Sequence, residues 1–582
     1  MSHDDASLTP EQEELVSLWL TAQVPGVDSP APRYTPPRHP REALLSQIWS
    51  EALEVEDVGV TDDYFALGGD SVLAIVIVSR AAQVGIDLEV RELFEARTIA
   101  GLELGDGVAP KAAARPDPVG ELPLSPLQEG ILFHSLSAGR HQDGYLVQAH
   151  CRVVGALEQD LLRQAWQDVM TDRPALRTAF RLQGPDGPRR WIAPSATLSW
   201  TQHDWRSLDS DAALAEYLRR DRTAGMDLQS PPLWRLAVGA EADGCHRLVW
   251  THHHLILDGW SQQIVLRQVW DRYAALVGGA VEPMPLSAPM TVPPSPASTT
   301  QQEEHWRGVL SGALPTMVVP ADPEREERPG AALAVLTDVW PAELANGLTS
   351  LAREVGVTPA TVVTGCWGLV AAAVTGADHA VFGLAVSGRA SGSAAAAAEV
   401  GMFVNTLLTR VSLTSQPAAD WLRSLQSELT RSQLFSDTPL SRVLGWSGRR
   451  RLFDSLLVLE NYPTWFAAGT EIAGLVVDKV DVVLDEGYPL VVEVSMRDGL
   501  IVRVRHDQAQ VPRRLAEELA QDLRHVADLL VTCTAPDAAA LAAVLGRRRE
   551  DARRRADHSR RSGAQDALRA AHRRVVRPRA DQ

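Results

Sequence analysis

Lysine is almost absent from this 582-residue chain: Lys111 and Lys479 are the only two among 56 basic residues. Such a bias toward arginine is expected of a high-GC bacterial genome. Cysteine is scarce as well. Cys151, Cys245, Cys366 and Cys533 lie far apart and form no Cys-x-x-Cys. That spacing gives neither a disulfide framework nor a zinc site, and buried free thiols are expected. No apolar run reaches the ~20 residues that cross a bilayer. The longest, Pro359 to Val374, follows Thr358, a capping residue, with proline at the first helical position, so a buried core helix is predicted there. The N-terminus, Met-Ser-His-Asp-Asp, has no basic region and no signal-like apolar stretch. A cytoplasmic protein is expected. No Gly-x-Ser-x-Gly is present, which excludes the hydrolase nucleophile elbow.

Charge of one sign is short over most of the chain. The net charge is −18, but residues 546–582 carry thirteen arginines and five acids, about +8, leaving about −26 on the rest. An acidic body argues against nucleic acid as a partner. The tail reads as a basic, solvated segment.

What is present is enough apolar residue, 45%, for ordinary globular cores, and enough length for several of them. Residues 8–23 have the pattern of a short amphipathic helix, and Pro25 to Pro40 that of an extended linker. From Arg41 to Leu53 the apolar residues Leu44, Leu45, Ile48, Trp49 and Leu53 recur at helical spacing. Leu67-Gly68-Gly69-Asp70-Ser71 follows, then the apolar run 72–78, read as a helix because of its flanks. A serine after two glycines is exposed and approachable, although a serine at a helix start is also a plain cap.

Beyond a Gly/Ala/Pro-rich stretch at 106–121 the chain alternates strand-like and helical segments. Tyr145 to Gln148 is strand-like and Glu158 to Met170 helical. The apolar run Leu248-Val249-Trp250 ends in His252-His253-His254, four residues before the turn pair Asp258-Gly259. Histidine moves protons near neutral pH, so the imidazoles are the natural chemical candidates. On a strand, Trp250, His252 and His254 share one face and His253 the other. Adjacent strand histidines diverge, and no Glu-x-x-His or cysteine set accompanies them, so no metal is expected. Gln262 to Leu276 is helical. Residues 281–300 are rich in Pro, Ser and Thr, and 474–485 and 490–505 read as strands.

Two families are resembled. Residues 41–105, from the Trp49 helix through Asp63-Tyr64-Phe65-Ala66-Leu67-Gly68-Gly69-Asp70-Ser71 to Leu93-Phe94-Glu95, resemble a peptidyl carrier protein. The resemblance implies that Ser71 carries covalent 4′-phosphopantetheine. Residues 122–535 resemble the condensation domain of nonribosomal peptide synthetases. The matching segments are Ser125-Pro126-Leu127-Gln128, Leu176-Arg177-Thr178-Ala179-Phe180, His253-His254-x-x-x-Asp258-Gly259, Val386-Ser387-Gly388-Arg389 and Gly401-Met402-Phe403-Val404-Asn405-Thr406, in the family's order. Two departures stand out: Arg173-Pro174-Ala175 replaces Arg-His-Glu, and the aromatic segment expected near 281–300 is missing.

The implied fold is multidomain. A small all-α four-helix carrier precedes an α/β condensation domain of two chloramphenicol-acetyltransferase-like lobes. The expected boundaries are a helix and linker at 1–40, the carrier at 41–105 and a linker at 106–121. A first lobe at 122–285, a Pro-rich inter-lobe loop at 286–300, a second lobe at 301–535 and the tail at 536–582 follow. The implied activity is amide-bond formation, with the acyl group tethered on Ser71 passing to an acceptor amine. His254 is the expected catalytic base or positioner, at the tunnel between the lobes, with His252 facing that tunnel and His253 structural. Asp258 is expected to aim the turn by pairing with Arg177, and the Gly259 N–H to assist the oxyanion. Expected partners are a separate adenylation enzyme, a phosphopantetheinyl transferase and a carrier-bound or free amine, with no nucleic acid and no membrane. Epimerisation of a carrier-bound aminoacyl group, ester formation and a non-catalytic recruitment platform are the alternatives.

Overall fold

The computed structural model describes residues 34–102, without 54, 65–66, 68–76 and several positions between 79 and 95. It also describes residues 120–554, without 139–143, 183–186, 279–296, 320–332, 387–398, 450, 461–467, 485–486, 497–498, 533–536 and 552–553. The expected helix at 8–23, Ser71, most of the linker at 106–121, the loop at 286–296 and the tail beyond 554 lie outside the described residues.

The N-terminal unit opens with α1 (Pro40–Leu53). Its apolar stripe buries Leu45, Ile48 and Trp49 against Val58, Val60, Tyr64, Ile77, Ile86, Leu93 and Ile99. Trp49 meets Tyr64 edge to face, with centroids 5.2 Å apart.

Among the described residues, the rest of the chain builds two main sheets. In the first lobe, β1 (Glu121–Leu122), β3 (Thr178–Arg181) and β4 (Arg189–Ile192) form a small accessory sheet. The main sheet takes β2 (Leu146–Val154), β5 (Trp200–Asp204), β6 (Trp234–Ala240) and β7 (Cys245–His253). Around it stand α2 (Pro126–Ala138), α3 (Gln159–Asp172), α4 (Ser210–Ala224) and α5 (Gly259–Val277). Trp166, Trp234 and Trp250 cluster where α3 covers the sheet.

The second lobe has α6 (Thr299–Val309), β8 (Leu333–Trp340), α7 (Ala342–Val355), α8 (Pro359–Thr375), β9 (His379–Val386) and β10 (Asn405–Ser412). It continues through α9 (Ala418–Gln433), α10 (Leu440–Ser447) and β11 (Ser455–Glu460). After β12 (Glu471–Ile472) and β13 (Leu475–Val483) come β14 (Leu490–Ser495), β15 (Leu500–Asp507) and α11 (Arg513–Thr532). The sheet order is β10-β9-β11-β14-β15-β8. The predicted core helix is α8, capped by Thr358 with Pro359 in its first turn. A Cβ on Gly365 would lie 2.8 Å from the Trp421 ring, and one on Gly368 2.5 Å from Val411, so these glycines let α8 close on its neighbours. Residues 490–505 are two strands rather than one, paired antiparallel, with Gly499 at φ +105° just ahead of β15.

Two expected boundaries are corrected. Strands β12 and β13 do not join the second-lobe sheet. They extend the first, in the order β12-β13-β2-β7-β6-β5, with Val480 opposite Cys151. The second lobe therefore lends a strand pair to the first. Nor is the chain beyond 536 simply a tail. Residues 538–551 form a helix, α12. Its Ala538, Leu541, Ala542 and Leu545 are buried in the second-lobe core, and Arg549 bonds the buried Asp522 at 2.6 Å. Cys151, Cys245 and Cys366 are buried cysteines outside any disulfide among the described residues; Cys533 is outside the described residues.

Candidate active site

β7 runs antiparallel to β2, which sets Leu146 opposite His253. His254 is the first residue past the strand, where the backbone turns. Its N–H still donates to the Tyr145 carbonyl at 2.9 Å, so the ladder fixes its position. The residue is half-buried. Its Nδ1 lies 2.8 Å from the Leu257 carbonyl oxygen. A carbonyl only accepts, so Nδ1 carries the proton and Nε2 keeps its lone pair. Nε2 has no partner among the described residues. Burial holds the His254 pKa below its ordinary value of 6.5, partly offset by the Leu257 bond and the nearby Asp258 carboxylate. The turn thus presents a neutral imidazole with one available lone pair.

The neighbouring histidines are committed elsewhere. His253 is fully buried; its Nδ1 accepts from the Leu255 N–H at 3.1 Å and its Nε2 faces the Ser135 hydroxyl at 3.5 Å. It staples the turn to α2. His252 does not face the tunnel as expected. It is 1% exposed, lies 4.8 Å from the Trp250 ring and faces Gln262 of α5 at 3.3 Å. Trp250 and His252 do share a face. That face is covered by α5, because the turn at 254–258 leads straight into this helix. Burial pushes the His252 pKa down to about 3, with the nearby His254 adding to the effect.

Asp258 corrects a second expectation. Its carboxylate accepts from the Ser261 N–H at 2.7 Å, capping α5, and from the Phe403 N–H at 3.0 Å. Ser261, fully buried, donates to the Gly401 carbonyl at 2.8 Å and accepts from the Gly401 N–H at 3.0 Å. The Asp258 N–H reaches the same carbonyl at 3.2 Å. Four hydrogen bonds therefore join the start of α5 to residues 401–403, which lead into β10 of the second lobe while Met402 is buried in the first-lobe core. Arg177 takes no part. Its guanidinium bonds the carbonyls of Met170, Thr171, Ala193 and Pro194. Met170 and Thr171 lie in the last turn of α3, where carbonyls lack helical partners and attract a cation. Gly259 is the first residue of α5, so its N–H has no partner within the helix.

Gln128 is the supporting residue that sequence reasoning passes over. Its Nε2 donates to the Leu255 carbonyl at 2.8 Å, inside the histidine turn. Its Oε1 accepts from the Ser125 N–H at 2.9 Å, while the Ser125 hydroxyl accepts from the Gln128 N–H at 3.3 Å. This is a capping box at the start of α2, and Ser-x-x-Gln is its visible signal. The long-range bond to Leu255 has no such signal.

Ser71 itself is outside the described residues. A serine hydroxyl is the group that a phosphodiester link to phosphopantetheine requires. Tyr64 and Ile77 on either side of it are fully buried in the N-terminal core.

Residues 119–532 match the family model described as "Condensation domain", and residues 43–103 the one described as "Phosphopantetheine attachment site". The linear gramicidin synthase of Brevibacillus parabrevis has a component that is 31% identical over 425 residues, 70% of this chain and 5% of that protein. The nonribosomal peptide synthetase sidD of Aspergillus fumigatus is 29% identical over 529 residues, 83% of this chain and 24% of that one. The chain thus spans a minor part of these relatives. Among solved structures, a four-domain nonribosomal peptide synthetase bound to AMP and glycine superposes with a TM-score of 0.62 at 18% identity, over 74% of this chain and 34% of that one. The complex of the X-domain and OxyB from teicoplanin biosynthesis gives 0.60 at 18% identity, over 74% of this chain and 97% of that one. These structural likenesses show the fold.

Proposed function

Since the chain belongs to the nonribosomal peptide synthetases, as a phosphopantetheine carrier domain followed by a condensation domain, we propose that it forms an amide bond between an acyl group delivered on Ser71 and an acceptor amine. When attached, phosphopantetheine supplies the thioester that holds the acyl group. His254 then orients the amine through Nε2 and takes its proton there. The observation that carries this is the Nδ1 contact with the Leu257 carbonyl, which dictates the tautomer a base needs. The Gly259 N–H and the positive end of α5 lie five residues beyond His254 and suit a developing oxyanion. His253, Gln128 and Asp258 hold the turn in place and touch no substrate. One structure of similar fold, the X-domain, is a complex with OxyB. Recruitment of a partner is therefore the second reading, and transfer itself has to be measured.

The test is intact-protein mass spectrometry. The chain is first converted to its holo form by a broad phosphopantetheinyl transferase, then charged by candidate adenylation enzymes. An added amine should discharge Ser71 and appear as an amide product, with Ser71→Ala not loading at all. His254→Ala should load normally and discharge at least ~100-fold more slowly. Equal discharge by the His254 variant would refute the reading. Washout of α-deuterium without product would point to epimerisation, and an ester product to a hydroxyl acceptor. A separate adenylation enzyme and a cytoplasmic setting are parts of this same proposal.

A further inference from the structure

Helix α2 is used on two sides. One side holds the histidine turn through Gln128, at the Leu255 carbonyl, and Ser135, at His253. These two residues are seven apart and so lie on one stripe. At ~100° per residue, Leu136 lies roughly 90° around the helix from that stripe and Phe133 roughly 150°. Phe133 is half-buried against the apolar core of the N-terminal carrier. Leu136, between the two sides, packs against both the carrier core and the first-lobe core. Leu67 and Val78, which bracket Ser71 in sequence, pack against the same carrier core. One helix therefore touches the carrier on one side and the histidine turn on the other.

We infer that Phe133, with Leu136 beside it, is the docking surface for the chain's own carrier, on the side of α2 turned away from the residues that hold the histidine turn. The inference rests on the carrier-to-condensation reading above and adds its geometry. The occupant is defined by what is seated there, the carrier core of this same chain. An aspartate at position 133 would have to be buried against that core without a partner, so docking should fail. The condensation core is untouched, because Phe133 packs outside it. The bonds of Gln128 and Ser135 lie on the far stripe and survive.

The experiment uses the full chain and two routes of delivery. In one, alanyl-coenzyme A and a phosphopantetheinyl transferase place an alanyl group on Ser71. In the other, the Ser71→Ala chain receives alanyl-N-acetylcysteamine from solution. Both are offered the same panel of amino-acid amines. Phe133→Asp should slow transfer from Ser71 at least ten-fold. Transfer of the free thioester should stay within two-fold of wild type, and Phe133→Leu should restore the Ser71 route. Independently of activity, deuterium uptake should rise in peptides 126–138 and 55–64 of the aspartate variant and stay constant in the second lobe. Equal loss by both routes, or unchanged transfer together with unchanged uptake, would overturn the inference. If the wild type transfers by neither route, the proposed function fails, and the uptake measurement alone decides the docking surface.

Discussion

The chemistry of His254 is set by a carbonyl that no side-chain reading reveals. Its position before Asp258-Gly259 is legible, because turn residues after an apolar strand mark where an imidazole emerges. The tautomer is not, because it depends on where the Leu257 carbonyl points. Arg177 shows the reverse error. A long cation is a natural partner for Asp258, yet the nearer end of α3 satisfies it first. Gln128 gives a direct test at this scale. Gln128→Glu keeps the cap bond from the Ser125 N–H but sets an oxygen against the Leu255 carbonyl. We expect a loss of about 1–3 kcal/mol in urea unfolding at unchanged m, and slower transfer. An unaltered urea midpoint would show that the bond does not hold the turn.

Elements are easier to read than their partners. The strands at β7 and β2 and the helices α1, α3, α5 and α8 all follow from period and capping. Period alone cannot say which sheet a strand joins, and so β13 falls to the wrong lobe when read from the sequence. Its exposed residues alternate with Leu475 and Val477, which fill the first-lobe core. Helix α12 is hidden for another reason. Its buried positions, Ala538, Leu541, Ala542 and Leu545, keep a helical spacing, but alanine contributes half of them and the arginines after Gly546 dominate the composition. Leu545 is fully buried. Leu545→Ala should cost about 2–5 kcal/mol, read as a lower thermal midpoint, and a chain ending at 532 should lose more. A midpoint unchanged in both would return α12 to the status of a tail.

Across the whole molecule, the two lobes are tied beside the histidine turn by Asp258, Ser261 and the backbone of residues 401–403, whose Met402 side chain is buried in the first-lobe core. Both partners are visible in the sequence, as Asp258-Gly259 and Gly401-Met402-Phe403, but not the fact that they meet. The crossover of β12 and β13 is a second tie. Ser261→Ala removes two of the four bonds and leaves both Gly401 groups without a hydroxyl. We expect transfer to fall several-fold and stability by about 1–3 kcal/mol, while Ser261→Thr retains most of both. Identical kinetics in the alanine variant would mean that the lobes are registered elsewhere. The account as a whole depends on a neutral His254 whose Nε2 meets the amine. Burial keeps its pKa below 6.5, so the base form persists as the pH falls to that point and is lost only at lower pH. The decisive measurement is the single-turnover rate of discharge from Ser71 across the pH range, in wild type and His254→Ala. The account predicts a wild-type rate that falls through one ionisation below pH 6.5, and a variant that is at least ~100-fold slower and lacks that ionisation. The same rate and the same profile in both proteins would contradict it.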